Sequence, residues 1–296
     1  MSNASLSIGI DLGGTRIKTV VMNSTGNVLE QMQFPTNDND QQTWKNSIRD
    51  HVNQILEAHK VTSSQIGISA PGLPNRDNSA ISFMPGRMQG LENFIWESFL
   101  NCPTKVINDA VAALMAEARL GACKHAKHAL MVTLGTGVGG AILIDGKAYQ
   151  GAFQKAGHVG HMVIDPHGSV GITGMPGSLE QSIGNCTVRE RSQGKFNSTH
   201  ELLDAASHGD AFAKEIWLKS IRNLALGLSS LSNILSPEII VIGGGIAEAN
   251  DHLFEPLNDF MEHYEWRPGG QATEIKKAEM GEWAGAIGAA YYALES

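Results

Sequence analysis

A chain of 296 residues is long enough for two domains of ordinary size, each with its own core. Its 42% hydrophobic and 18% charged residues lie near the globular average, which excludes a disordered or fibrous protein, and no apolar run is long enough for a transmembrane helix. A formal net charge of −8 without a lysine or arginine cluster argues against nucleic acid or a membrane surface as partner, and leaves small molecules as the expected ligands. No basic region followed by an apolar core opens the chain, so a cytoplasmic location is expected. Cys102, Cys123 and Cys186 are odd in number and lack CxxC spacing, which fits a reducing compartment and predicts three buried apolar fillers. Ser2, Asn3 and Ala4 read as a cloning remnant outside the fold.

Alternating β-branched residues predict a three-strand meander over Leu6 to Asp11, Arg16 to Met22 and Val28 to Phe34. An amphipathic helix from Gln42 to His59 follows, then strands near Gln65 to Ser69 and Thr104 to Ile107, and a helix from Ala110 to Leu120. The second half opens on a strand from Met131 to Leu134 and another from Ala141 to Ile144. It continues through a Gly-rich polar stretch from Gly151 to Gly177 and is mostly helical from Leu179 to Leu235. A strand at Glu238 to Ile242 precedes a last helix, Trp283 to Leu294, whose small residues suit close approach to another element. Hairpin sheet, helix and further strands thus occur twice, which predicts two α/β lobes of one plan. No linker marks the division, which is expected near Ala110: residues 1–112 form the first lobe, completed by the helix at 283–296, and 113–282 the second.

The duplication is sharpest at two turns. Ile8-Gly9-Ile10-Asp11-Leu12-Gly13-Gly14-Thr15 is answered by Met131-Val132-Thr133-Leu134-Gly135-Thr136-Gly137-Val138-Gly139-Gly140. In both, a strand enters a Gly and Thr turn and another strand leaves it, so each is a β-hairpin, unlike a mononucleotide P-loop, which runs into a helix. Glycines let backbone N–H groups converge on an anion, and a threonine hydroxyl adds a donor. Glycine also suits an ordinary hairpin turn, but the matched pair favours anion binding.

With Lys18, Ala70-Pro71-Gly72, Asn108-Asp109-Ala110, Gly157-His158-Val159-Gly160-His161-Met162 and Ile242-Gly243-Gly244-Gly245, these turns occur in an order and spacing that resembles the ROK family of bacterial sugar kinases and repressors, within the actin-like ATPase superfamily. The resemblance covers almost the whole chain. It implies an α/β fold of two actin-like ATPase lobes with an interlobe cleft, and ATP-dependent phosphorylation of a hydroxyl of a hexose or N-acylated hexosamine. By the same resemblance Asp109 is the general base, and Asn108 and Asp109 bind the sugar. Asp11 holds Mg²⁺ through its water shell. Gly13, Gly14, Thr15 and Lys18 line one side of the triphosphate, Gly135, Thr136 and Gly137 line the other, and Gly243, Gly244 and Gly245 pack against the adenosine. Homodimers are common in the family. Simpler readings stand beside these: Asn108 and Asp109 as a helix N-cap, Asp11 capping its own turn, Lys18 as a solvated strand charge, and the three glycines as a strand-to-helix turn.

The chain departs from the family at two places. His158 stands where a Glu usually precedes the Val/Ile-Gly-His of the sugar-binding motif, exchanging a double acceptor for one donor and one acceptor. The cysteine-rich zinc motif is replaced by Gly171-Ile172-Thr173-Gly174-Met175-Pro176-Gly177-Ser178-Leu179-Glu180, without a thiol, so no structural zinc is expected there. His161 is expected to turn to sugar binding or loop packing, and His158, His161 and His167 are not expected to form a substitute metal site. Glu180 survives; the family gives it a sugar contact, while its position also suits first-turn helix stabilisation. The match is loose over Met84-Pro85-Gly86-Arg87-Met88-Gln89-Gly90 and at Val111, where the family often has Asn. Two rival functions follow. A sugar-sensing repressor is disfavoured because the Asp11 loop begins almost at the first residue, with no basic recognition helix before it. A non-catalytic sugar binder is motivated by His158 and the lost thiols.

Overall fold

The computed structural model describes residues 6–36, 40, 42–84 and 88–295, so Ser2 to Ala4 and the Pro85-Gly86-Arg87 part of the loosely matching loop lie outside the described residues. The first part of the chain contains β1 (Leu6–Leu12), β2 (Arg16–Asn23), β3 (Val28–Pro35), α1 (Thr43–Ala58), β4 (Gln65–Ala70), β5 (Leu73–Pro74), β6 (Ile81–Phe83), α2 (Trp96–Leu100), β7 (Thr104–Asn108) and α3 (Asp109–Leu120). The second contains β8 (Ala129–Leu134), β9 (Val138–Ile144), β10 (Lys147–Tyr149), α4 (Leu179–Ile183), α5 (Val188–Arg191), α6 (Thr199–Ser207), α7 (Ala211–Leu235), β11 (Ile239–Gly243), α8 (Asp251–Tyr264), β12 (Glu274–Lys277) and α9 (Ala284–Glu295).

One compact unit comprises Met1–His125, Gln150–Ala156 and Glu279–Ser296, the other Ala126–Tyr149 and Gly157–Ala278. The division expected at 112/113 falls inside α3, which belongs whole to the first unit because it packs on α9. Each unit has a five-stranded sheet, ordered β3-β2-β1-β4-β7 in the first and β10-β9-β8-β11-β12 in the second. In both, an antiparallel three-strand meander is extended by two parallel strands, so the repeat read at the two turns extends to whole sheets.

The period of two along β1 explains how the first sheet is covered. Leu6, Ile8, Ile10 and Leu12 join Trp44, Ile48 and Val52 of α1 and Trp96 of α2 in one buried apolar cluster. The intervening Ser7, Gly9 and Asp11 meet α9 instead. Ser7 Oγ donates to the carbonyl of Ala290 at 2.7 Å, and a Cβ on Gly9 would stand 1.9 Å from Ala286 O. One strand over, a Cβ on Gly67 would stand 1.8 Å from Ala289 O. Only bare backbone on β1 and β4 admits α9 this closely, so the small residues of both surfaces are a fitted pair.

In the second unit the long α7 packs against α4, α6 and α8. Helix α8, which the sequence reading passes over, buries Leu253, Leu257 and Met261 at four-residue intervals, a one-sided stripe interrupted in sequence by Pro256. Cys102 and Cys123 are buried as expected, but Cys186 is exposed, because it lies in the turn after α4 rather than in a core-facing element.

Candidate functional site

In the first unit the parallel strands β1, β4 and β7 end along one edge of the sheet. Asp11 pairs in register with Ser69, Ser69 with Ile107, and Ala70 with Asn108. Asp11 and the Asn108-Asp109 step therefore share the carboxyl edge of one sheet, about 10 Å apart from strand spacing alone. Ligands of open α/β sheets bind outside such edges.

Asp11 is the last residue of β1 on the face that α9 covers. Its Oδ1 accepts a hydrogen bond from Ser69 Oγ at 2.7 Å, and a Cβ on Gly285, at the start of α9, would approach its Cγ to 2.5 Å. Burial raises its pKa above 3.8, and the Ser69 hydrogen bond and the charge of Lys18 oppose this only in part. Lys18 is not a solvated strand charge: its Nζ donates to Glu282 O at 2.8 Å and pairs with Glu282 Oε2 at 3.0 Å, just before α9. The turn between is held by its carbonyls. Gly13 O accepts from Thr36 Oγ1 at 2.7 Å and Thr15 O from Thr36 N at 3.0 Å, while a Cβ on Gly14 would meet nothing within 4 Å.

Asn108 caps α3. Its Oδ1 accepts from Ala110 N at 2.9 Å and its Nδ2 donates to Gly72 O at 3.0 Å, which fixes the buried amide in both directions. The N-cap reading is thus realised for Asn108. Asp109 is the first helical residue and exposed, with Oδ1 also accepting from Ala110 N at 2.8 Å.

The second unit repeats the hairpin with different supports. Gly135 O accepts from Asn185 N at 3.0 Å and Thr136 O from Cys186 N at 2.8 Å, so the carbonyls are again engaged by protein. A Cβ on Gly135, as on Gly14, would enter open space. Glu180 Oε2 accepts from Val138 N at 2.9 Å and stands 2.3 Å from where a Cβ on Gly137 would be. Glu180 therefore braces the hairpin, a tie between residues 42 apart in sequence that neither expected role contained. Thr133 pairs with Gly243, and Gly244 folds under the same turn. With φ of +89° and a position whose Cβ would lie 2.3 Å from Leu134 O, Gly244 admits no other residue without strain, whereas Gly245 faces open space.

His158 precedes and His161 ends a single 3₁₀ turn, with rings stacked at 6.1 Å and 5°. Burial, and secondarily the neighbouring His161, lowers the pKa of His158, which favours the neutral ring. His167 is exposed, its backbone N–H bound to Asp165 Oδ1 at 2.9 Å. The thiol-free loop is closed by backbone bonds, Gly171 N to Met175 O at 2.9 Å and Gly177 N to Ser169 O at 2.8 Å. Among the described residues, no group of three or more His, Cys, Asp or Glu side chains gathers as a metal ion would require, and no helix is long and apolar enough to cross a membrane.

Comparison with known proteins places these features in a family context. The sequence profile of the ROK family matches residues 7–296. The glucokinase of Halalkalibacterium halodurans is 30% identical over 95% of this chain and 92% of its own length. Among solved structures, the ROK hexokinase from Thermus thermophilus superposes with a TM-score of 0.89 at 27% identity, covering 98% of this chain and 99% of that one. A ROK family glucokinase from Streptomyces griseus, in complex with glucose and AMPPNP, superposes with a TM-score of 0.77 at 26% identity, covering 99% and 100%.

Proposed function

This chain belongs to the ROK family and is a carbohydrate kinase, and on that premise we propose that it transfers the γ-phosphoryl group of ATP to a hydroxyl of a hexose or N-acylated hexosamine, with Asp109 as the general base. The observation that carries this reading is the exposed carboxylate of Asp109 at the strand edge where Asp11 also lies. Asp109 accepts the proton of the sugar hydroxyl as that oxygen bonds to the γ-phosphorus, and the bond from phosphorus to the departing ADP oxygen breaks. Asn108, fixed through Gly72 and Ala110, orients the start of α3 beside it.

His158, His161 and the second oxygen of Glu180 are assigned to the remaining sugar hydroxyls. A neutral His158 offers one donor and one acceptor, which selects a different hydroxyl pattern from a carboxylate. The amides of Gly14 and Thr15 and of Thr136 and Gly137 are assigned to the triphosphate. Gly13 N already donates to Asp11 O at 3.2 Å and Gly135 N to Gly137 O at 3.0 Å, so Gly13 and Gly135 serve by shaping their turns. Lys18 lies beside the first turn, and the bare backbone of Gly243 to Gly245 is assigned to the adenosine. The first turn fits Mg²⁺: Asp11 is a buried oxygen donor whose pKa is raised by burial, against the Ser69 hydrogen bond and the charge of Lys18, so a cation nearby would favour its charged form. There it would hold the ion through water, and the ion would neutralise charge on the β- and γ-phosphates.

The test is ADP release by wild type and Asp109→Asn across a panel of hexoses and N-acylated hexosamines, with ATP and polyphosphate as alternative donors. Wild type turns over at least one sugar, and the variant loses roughly 10²- to 10⁴-fold in kcat while still binding nucleotide. Unchanged turnover would remove Asp109 from the chemistry, and silence across the panel with sugar binding intact would favour a non-catalytic binder.

A further inference from the structure

We propose that the second unit carries an oxyanion site beneath the loop that begins at Asp165, taking a phosphate or carboxylate group between Arg191 of α5 and Lys219 of α7. A cavity of about 190 Å³ lies there, lined by both cations and by Ser169, Gln181, Ser182 and Asn223. None of these is assigned to the sugar or the nucleotide.

Arg191 is the unusual member. Its Nη1 donates to Gly184 O at 2.8 Å and to Thr187 Oγ1, which uses one side of the guanidinium. Nε and Nη2, the edge that takes a carboxylate or phosphate through two parallel bonds, are buried without a partner among the described residues. Burial pushes the group down to about 10, the charges of Cys186 and Glu190 opposing this, so it remains a cation at neutral pH. A cation with a buried, unmatched edge is costly, and an oxyanion is the group that matches it. Lys219 is exposed on α7 and adds a second positive charge at the same cavity. Ser169 Oγ accepts from Gln181 Nε2 at 3.1 Å, which leaves its hydroxyl proton to donate. Asp165 is the carboxylate on the lining and bonds instead to the backbone N–H of His167. Two cations against one carboxylate, with hydroxyl and amide donors, make the chamber selective for a single small anion.

The test is calorimetric titration of the full-length protein with inorganic phosphate and, separately, with acetate, against chloride at equal ionic strength. Wild type is expected to show a saturable event with at least one of the two anions, and which one separates a phosphate from a carboxylate ligand. Lys219→Glu weakens it at least tenfold, as does Arg191→Lys, which keeps the charge but loses the fork. Gly135→Ala leaves it unchanged, so the result is independent of whether the hairpins bind nucleotide. Binding that responds to Gly135→Ala and not to Lys219→Glu would belong to the hairpins and overturn the proposal, as would the absence of saturation with both anions. Lys219 is exposed, so its variant keeps the test decisive even if Arg191→Lys does not fold.

Discussion

Asp11 stands near the end of β1 opposite Ser69, whereas at the corresponding place of β8 Thr133 stands opposite Gly243. Around these pairs the backbone is repeated: the same strand order, the same antiparallel exit, turn carbonyls engaged by neighbouring protein, and one glycine in each turn facing open space. The surroundings differ. The first turn has a buried carboxylate held by a serine hydroxyl and screened by Lys18, and the second has no ionisable side chain on its strand but a carboxylate, Glu180, inserted behind it from α4. One backbone plan thus carries two electrostatic settings, a buried carboxylate on the strand of one copy and a carboxylate brace behind the turn of the other.

The largest test of that contrast is Asp11→Asn, expected to lower turnover by roughly 10²- to 10³-fold in a sugar-dependent ADP assay. Thr133→Val, at the matching place, is expected to change turnover little, and equal losses would erase the distinction. Next comes Gly244→Ala, which forces a side chain into a positive-φ position against Leu134 O and is expected to destabilise the protein by about 1–3 kcal/mol in denaturant unfolding. Smaller still are Gly14→Ala and Gly135→Ala. Each places a methyl group in space the protein leaves open, so each is expected to raise KM for ATP about tenfold without lowering Tm. A fall in Tm without a change in KM would make those glycines structural.

The smallest effect concerns pH. Folding raises the pKa of Asp11 above 3.8, so the folded protein holds its proton more tightly than the unfolded chain does. Stability from this group is complete below 3.8 and is lost as pH rises through the folded value. In the absence of nucleotide, Asp11→Asn should therefore melt higher than wild type at neutral pH, by a margin that shrinks as the pH is lowered towards 3.8. A scan of Tm against pH checks this, and Thr133→Val should show no such slope.

Much of the architecture was legible because it is written locally. Alternation marked β1, β2, β3, β8 and β9, and small residues marked α9 as a close-packing helix. Helix α8 carried a readable stripe at Leu253, Leu257 and Met261, yet it was not among the expected elements. At the candidate site, the strand-end residues were visible as motifs, whereas their supports were not. Ser69 is 58 residues from Asp11, Thr36 follows a strand end, and Glu180 reaches Val138 across the zinc-like loop. Such ties depend on strand register and helix placement, which no short window of sequence encodes. Cys186 was misplaced for the converse reason: cysteine is commonly buried, and here turn geometry decides.

The fit of α9 against β1 and β4 also bears on how the protein is made. A chain emerging from its N-terminus completes the strands of the first sheet well before residues 284–295 exist, and until then the face formed by Ser7, Gly9 and Gly67 has no cover. The first unit is therefore the first to be synthesised in large part and the last to be closed, through contacts such as Ser7 to Ala290 that span 283 residues. Such long-range closure carries a high entropic cost and slows folding, so the second unit, whose segments are all in hand by Ala278, is free to fold ahead of the one that precedes it.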